Sequence, residues 1–510
     1  MAMRYISGGR TLEQADLDDL ARRVASGLAE QGVGDGDGIG LLLVNEIEVI
    51  VCWQALSLLG AYAVPLNWRS TTAEVSYIAA DAALKAIVAH DTVRGVAREA
   101  LGDGGMVVSV PLPAETADAL SLPRQTAPGA YVDWNDWLTT QPPWPGDFRP
   151  ARPAVTYTSG TTGKPKGVMR EAHLSAEARE LQARHVAPVW GSEDHMRSLL
   201  LAPLYHSAPS AYIRSAIATA KTAGEIHMQP RFDPETVLRT IESARITHLW
   251  MVPTMFVRLL QLPAEVRERY DVSSLRNIVH SGAPCPVDVK TRMIDWFGPV
   301  INEFYGSTET GPITYATSAD YLKRPGTVGR VLEACRVAII DADGRRLPPN
   351  TPGEIAAANG TYADFTYRHR ESDREQLDAG GLLRTGDIGV LDEDGYLFIK
   401  DRLKDMVISG GVNVYPAEVE EVLLQLTNIQ DGAVFGLPDE VYGERLAAAV
   451  SLAAPEPGAA DRIRAELRER LASVKVPRTV FVLDDFPRAD NGKVSKARLR
   501  QLVTTTADNK

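Results

Sequence analysis

From residue 154 to about 325, short apolar runs alternate with stretches whose apolar positions recur every three or four residues. "AVTYT", "SLLLAPLY", "THLWMVP", "LRNIVHS" and "VINEFY" read as strands, with amphipathic helices over 233–244 and 253–268 between them. Continuous apolar strands separated by helices predict βαβ units and a mostly parallel sheet. Upstream, Leu17, Leu20, Val24 and Leu28 share one face of a helix, and Thr11 with Gln14 has the form of a capping box opening it. The segment "GVGDGDGIG" (32–40) satisfies G-x-G-x-x-G in no register and reads as a helix stop and turn before the strand "GLLLV".

The texture changes after about residue 325. "CRVAIIDADGRRL" and "GVLDEDGYLFIKDR" alternate apolar and polar positions around Asp/Gly turns, which predicts hairpins. From Pro416 the pattern becomes helix, strand (431–437), strand (446–453), helix (460–472) and strand (478–484). That is a small α+β unit of roughly a hundred residues, enough for its own core. With the boundary at "DRLKD" (401–405), the expected fold is α/β. A large domain over 1–401 has layered parallel sheets with helices and a small β-rich subdomain, and a small α+β domain covers 402–510. A chain of 510 residues is too long for a single core in any case.

Composition narrows the function by exclusion. A net charge of −12 gives no global field toward nucleic acid or anionic membrane, so an anionic substrate must be gripped by local donors. Three cysteines (Cys52, Cys285, Cys335), none in C-x-x-C spacing, point to a reducing cytoplasm. No apolar leader or 18-residue apolar run suggests membrane insertion, and the nine histidines show no zinc-ligand spacing.

Candidate chemistry begins at "YTSGTTGKPKGV" (157–168). The kinase and ATPase P-loop, G-x-x-x-x-G-K-[ST], fails here: Thr158 stands at the first glycine and Pro165 at the magnesium hydroxyl, and proline has no amide to offer. Even so, Thr158, Ser159, Thr161 and Thr162 supply hydroxyls and amides, and Gly160, Gly163 and Gly167 permit close backbone approach to phosphate. Lys164 and Lys166 supply charge. Four further stretches follow: "YGSTETG" (305–311), "RTGD" (384–387), "DRLKDMVISGGVNVYPAEVE" (401–420) and "PRADNGKVSK" (487–496). In this order and spacing the five motifs closely resemble the adenylate-forming superfamily of acyl-CoA synthetases, adenylation domains and luciferases, and the resemblance spans essentially the whole chain.

The resemblance implies ATP and CoA as cosubstrates, Mg2+ as cofactor, and a role for each matching residue. The loop Thr158–Lys164 with Lys166 would grip the pyrophosphate end of ATP. Tyr305 would stack on adenine with Gly306 and Ser307 beside it, Thr308 would contact the α-phosphate, and Glu309 with Thr162 would hold magnesium. Asp387 would accept the ribose hydroxyls and Arg402 would make the second ribose contact. Gly282, Ala283 and Pro284 of "HSGAP" (280–284) would run along the adenine. Lys493 would bridge the attacking carboxylate and the α-phosphate, where developing charge calls for a cation. The small domain would then swing about Lys404, presenting Ser409, Gly410 and Gly411 to the pantetheine thiol. His206, Ala208, Tyr212, Trp250, Val252, Gly282, Thr310 and Pro312 would line the acid pocket, with His206 as a gate. No basic residue among them would pair a second carboxylate, so the acid is expected to be apolar and monocarboxylic: fatty, bile-acid-like or aromatic.

The expected activity is therefore an AMP-forming carboxylic acid–CoA ligase of the cytoplasm. Its partners would be small molecules, with no nucleic acid and no inserted membrane segment, and a homodimer is left open. The rivals are a stand-alone adenylation enzyme that loads a carrier protein and a non-catalytic acyl- or nucleotide-binding module.

Overall fold

The computed structural model describes residues 2–123, 130–149, 152–158, 165–170, 176–409, 412–439, 441–484, 486–488 and 494–508. Thirteen strands form one sheet. Its middle is parallel: Ile301–Ser307, Asn277–His280, His248–Met251, Arg197–Leu200, Ala223–Met228 and Ala2–Ser7 lie side by side, edged by the antiparallel Arg10–Glu13. Beyond Ile301–Ser307 every neighbour is antiparallel. The order runs Gly311–Ala316, Gly329–Val331, Tyr396–Arg402, Leu383–Leu391, Gly353–Asn359 and Cys335–Ile340. The change of texture near residue 325 thus reflects a sheet that switches from crossover to hairpin connections while remaining continuous.

A second, all-parallel sheet holds Tyr62–Pro65, Gly38–Leu42, Leu84–His90, Met106–Val110 and Val132–Asp133. The helix Ile47–Leu59 is buried nearly all round and stops at Gly60, whose φ of +70° ends it in the left-handed region. The helix Pro234–Ala244 illustrates the local logic. The Asp233 carboxylate accepts from the Thr236 amide at 2.9 Å, Pro234 opens the first turn, and Val237, Leu238 and Ile241 face the core. Burying each of those three side chains stabilises the fold by about 1.5–3 kcal/mol.

The small α+β unit has its expected elements: Ile429–Asp439, Gly443–Leu452, Ala459–Arg470 and Thr479–Val482, with Val419, Leu423, Val434, Val450, Ile463 and Leu467 in a separate core. No described helix is long and apolar enough to cross a membrane.

Four local expectations are corrected. Thr11 lies inside the strand Arg10–Glu13, paired with Ile6, so no capping box forms and the helix begins at Gln14 with Glu13 at its cap. "AVTYT" contributes Thr156–Thr158 to a separate antiparallel sheet with Lys166–Arg170 and Phe365–Tyr367, not to the parallel one. The helix over 253–268 breaks into Pro253–Leu260 and Ala264–Arg267, because Pro263 disfavours helical backbone before it and lacks an amide. The strand Ala2–Ser7, with Met3 and Tyr5 buried, is not among the expected elements.

Candidate active site

The strand Ile301–Ser307 is the last parallel one, and its carboxyl end is where an open α/β sheet offers a crevice. A bulge at Tyr305/Gly306 leads into the turn 308–310, and the chain returns as Gly311–Ala316. Gly306 has to be glycine, since a Cβ there would stand 2.0 Å from the Gly311 carbonyl oxygen. Thr308 and Glu309 therefore sit at the tip of a bulged hairpin.

Three amides at that turn are satisfied locally. Ser307 N donates to Thr310 Oγ1 at 3.0 Å, and the Glu309 and Thr310 amides donate to Ser307 Oγ at 3.2 and 3.1 Å. Thr308 Oγ1 lies 3.0 Å from Ser207 Oγ, at the start of the helix Ser207–Thr219, and Tyr367 donates its hydroxyl to Glu309 Oε1 at 3.0 Å.

Asp387 and Arg402 are direct register partners on the adjacent strands Leu383–Leu391 and Tyr396–Arg402. Tyr305 donates to Asp387 Oδ2 at 2.7 Å, and Arg402 Nε lies 3.4 Å from Asp387 Oδ1. Burial, reinforced by the charge of Asp387, holds the Tyr305 phenol well above its usual pKa, so it is a hydrogen-bond donor at neutral pH. Motifs 82 residues apart in sequence are thus joined by one hydrogen bond.

Ser159, Gly160, Thr161, Thr162, Gly163 and Lys164 lie outside the described residues, and the strands flanking them are described. Thr158 pairs with Lys166. Lys166 Nζ is 2.8 Å from Asp373 and 5.1 Å from the centroid of Tyr367, the same ring whose hydroxyl holds Glu309. At Gly167 a Cβ would meet the Tyr157 ring at 2.9 Å, so its small size also serves cross-strand packing in this hairpin. Arg170, at the end of the same strand, donates to the carbonyls of Thr308 (2.8 Å), Glu309 and Ala363 (2.5 Å).

"HSGAP" begins at the end of the strand Asn277–His280. Gly282 has φ +88°, which glycine adopts with least strain, and a side-chain Cβ there would come within 3.8 Å of Val252; Ala283 is half-buried and Pro284 exposed. Trp250 Nε1 donates to Ser281 Oγ at 3.1 Å, so the Trp250–Val252 strand end and the "HSGAP" turn are held together. Beneath them Lys290 and Glu303 form a buried ion pair at 2.6 Å, with Lys290 Nζ 3.9 Å from the Tyr321 ring centroid.

Among the expected acid-pocket residues, Trp250, Val252, Thr310 and Pro312 are buried, and His206 and Ala208 are half-buried beside the start of the Ser207–Thr219 helix. The Pro312 carbonyl accepts from Asn359 Nδ2 at 2.7 Å. Tyr212 is fully buried and packed on Trp190 at 6.3 Å, and Trp190 meets Phe304 edge-on at 4.9 Å. Lys404 lies in the single helical turn Leu403–Asp405, spanned by a hydrogen bond from Met406 N to Arg402 O at 3.1 Å. Ser409 ends the strand Val407–Ser409, while Gly410, Gly411 and Lys493 lie outside the described residues.

Sequence reasoning missed Ser207, Tyr367, Asp373 and Arg170. A charged residue closing the otherwise apolar "GVMR" was the one available signal for Arg170. Nothing local marks the other three.

Residues 1–363 match the family described as AMP-binding enzyme, and residues 418–493 match the AMP-binding enzyme C-terminal domain. The chain belongs to this family and is an AMP-forming acid–thiol ligase, an acyl-CoA synthetase. It is 31% identical to a feruloyl-CoA synthase of an Amycolatopsis species, over 97% of this chain and 94% of that protein. It is 32% identical to the long-chain-fatty-acid–CoA ligase FadD13 of Mycobacterium tuberculosis, over 96% and 93%. Among solved structures it is similar to ATP-bound MatB from Rhodopseudomonas palustris, with a TM-score of 0.83 and 28% identity over 98% of this chain and 95% of that one.

Proposed function

We propose that this ligase joins an apolar monocarboxylic acid to CoA in two half-reactions at one site, divided between a body (1–401) and a mobile domain (402–510). The carboxylate first attacks the α-phosphate of ATP, forming acyl-AMP and expelling pyrophosphate. The CoA thiol then attacks the acyl carbonyl and AMP leaves. The observation that carries this reading is the bulged hairpin at 305–311. From it Tyr305 reaches Asp387, which Arg402 also approaches, while Thr308 meets Ser207 and Glu309 meets Tyr367.

In this reading Tyr305 and "HSGAP" flank adenine, Asp387 and Arg402 hold the ribose, and Thr308 contacts the α-phosphate. Magnesium fits the donor set, since it takes one or two carboxylates plus substrate phosphates, and Tyr367 holds only one oxygen of Glu309. When bound it would neutralise charge on the phosphates. Among the described residues no cluster of three acidic, His or Cys side chains offers a cage for a metal without substrate. Lys493 approaches for adenylation and is withdrawn by rotation about Lys404, which brings 409–416 to the thiol's path. Free Cys52, Cys285 and Cys335 support a cytoplasmic setting.

The apolar faces of Trp250, Val252 and Pro312 support an acid without a second charge. Relatives named for feruloyl, long-chain fatty acyl and indoleacetate substrates fit the same class. A second reading, an adenylating enzyme whose acyl acceptor is not CoA, is favoured by 28% identity and a TM-score of 0.81 to an amide bond synthetase from Marinactinospora thermotolerans. Pyrophosphate release across fatty, aromatic and dicarboxylic acids, with and without CoA, tests both. CoA-independent turnover to free AMP without thioester would reject the ligase reading.

A further inference from the structure

The turn bearing Thr308 and Glu309 uses the Ser307 hydroxyl to accept from the Glu309 and Thr310 amides. The carbonyls of Thr308 and Glu309 accept from Arg170, which lies outside the turn. One terminal nitrogen donates to both the Thr308 carbonyl (2.8 Å) and the Glu309 carbonyl, and the other donates to the Ala363 carbonyl at 2.5 Å. The side chain is buried at 8% exposure, with its guanidinium 5.1 Å from the centroid of Tyr362 and 5.7 Å from that of Phe365. Among the described residues no carboxylate lies within ion-pair distance of it. A cation this buried loses hydration, so it is retained where its fixed fork of donors is used.

The contact runs between two parts of the site. Arg170 closes the five-residue strand Lys166–Arg170, which carries Lys166 and leaves the "TSGTTGK" loop. It also pairs in register with Phe365, two residues before Tyr367, which holds the Glu309 carboxylate. One guanidinium therefore fixes the backbone beneath Thr308 and Glu309 and the segment that aims the Glu309 side chain.

We propose that Arg170 is a positioning residue that sets Thr308 and Glu309 for the α-phosphate and for magnesium, tying them to the strand that follows the phosphate loop. The inference rests on the reading of Thr308 and Glu309 given above. It predicts that loss of the guanidinium loosens the metal-dependent part of ATP binding more than binding of the acid. A displacement of about 1 Å at such a site costs up to about 10²-fold in rate.

The test compares wild type with R170M, R170Q and Glu309→Gln in the full chain. Titration calorimetry gives ATP affinity with Mg2+ and with EDTA, and single-turnover mixing gives the rate of acyl-AMP formation. For R170M the expected result is a loss of most of the affinity gained on adding Mg2+ and adenylation slowed at least ~10-fold, with KM for the acid within about twofold. R170Q, whose amide reaches one carbonyl, should fall between. If R170M does not fold, R170Q alone gives the same readout with a smaller change. A folded Arg170 variant with wild-type Mg2+-dependent affinity and adenylation rate overturns the proposal, provided Glu309→Gln is impaired. If Glu309→Gln itself behaves as wild type, the underlying reading of the turn fails and the proposal goes with it. A uniform drop in all parameters that tracks a lowered Tm would also overturn it, since the role would then be structural.

Discussion

Asp387→Ala offers a quantitative test of the ribose site. Two things are lost together: the acceptor of the Tyr305 hydroxyl, and the carboxylate that would receive the two ribose hydroxyls. Hydrogen bonds to a charged group contribute about 1.5–3 kcal/mol each. Asp387 is 16% exposed, so water replaces the carboxylate poorly, and the loss in kcat/KM for ATP is expected at about 3–4 kcal/mol, two to three orders of magnitude. The ion pair with Arg402 adds little to stability, because Arg402 is 54% exposed and exposed pairs are worth at most about 1 kcal/mol. The deciding assay is a cycle between protein and substrate: pyrophosphate release with ATP and with 2′-deoxy-ATP, each with wild type and Asp387→Ala. Removing the 2′-hydroxyl should cost wild type about 10- to 30-fold and the variant almost nothing further. If the two losses simply add, Asp387 does not receive that hydroxyl.

Lys493→Ala should slow adenylation by about 10²–10³, the scale for one electrostatic stabiliser, while supplied acyl-AMP and CoA still give acyl-CoA at near the wild-type rate; equal loss in both steps would refute the assignment. Lys404→Pro, which fixes φ near −65° inside the Leu403–Asp405 turn, should spare adenylation and abolish thioester formation in the same pair of single-turnover assays. Burial lowers His90 and His248 to pKa values of about 4, so each is neutral in the folded protein and protonated more readily once unfolded. The unfolded chain therefore binds more protons below pH ~6.5, and stability should fall from there toward pH 4, by about 2 kcal/mol per histidine at pH 5. Urea denaturation at pH 7 and pH 5 checks this, and a His90→Gln variant should lose correspondingly less; an identical pH slope would exclude His90 as a contributor.

What could be read from the chain depended on the distance over which each feature is determined. The parallel strands announced themselves because a strand covered on both faces is apolar at every position, as in Asn277–His280. The motif residues at 305, 387 and 402 were legible through their neighbours in sequence, although the contacts joining them are long-range. Arg170 was not, because its meaning lies in the carbonyls of a turn 138 residues away. Thr11 misled for the opposite reason: its local pattern is a good cap, but pairing with Ile6 outweighs that preference and draws it into a strand. Met3 and Tyr5 alternate correctly over only six residues, too few to separate a strand from chance.

That short strand bears on how the protein is made. Ala2–Ser7 is completed on one side by Arg10–Glu13 and on the other by Ala223–Met228, with Arg4 and Glu225 joined across 221 residues of chain. At translation rates of about 5–20 residues per second, the hairpin of residues 2–13 would wait on the order of ten to forty seconds for its parallel neighbour to be synthesised. Throughout that interval a strand edge carrying Met3 and Tyr5 is unpaired. The segment to shield during expression is therefore one made long before its sheet partner, and any other strand edge near it would compete for its place beside Ala223–Met228.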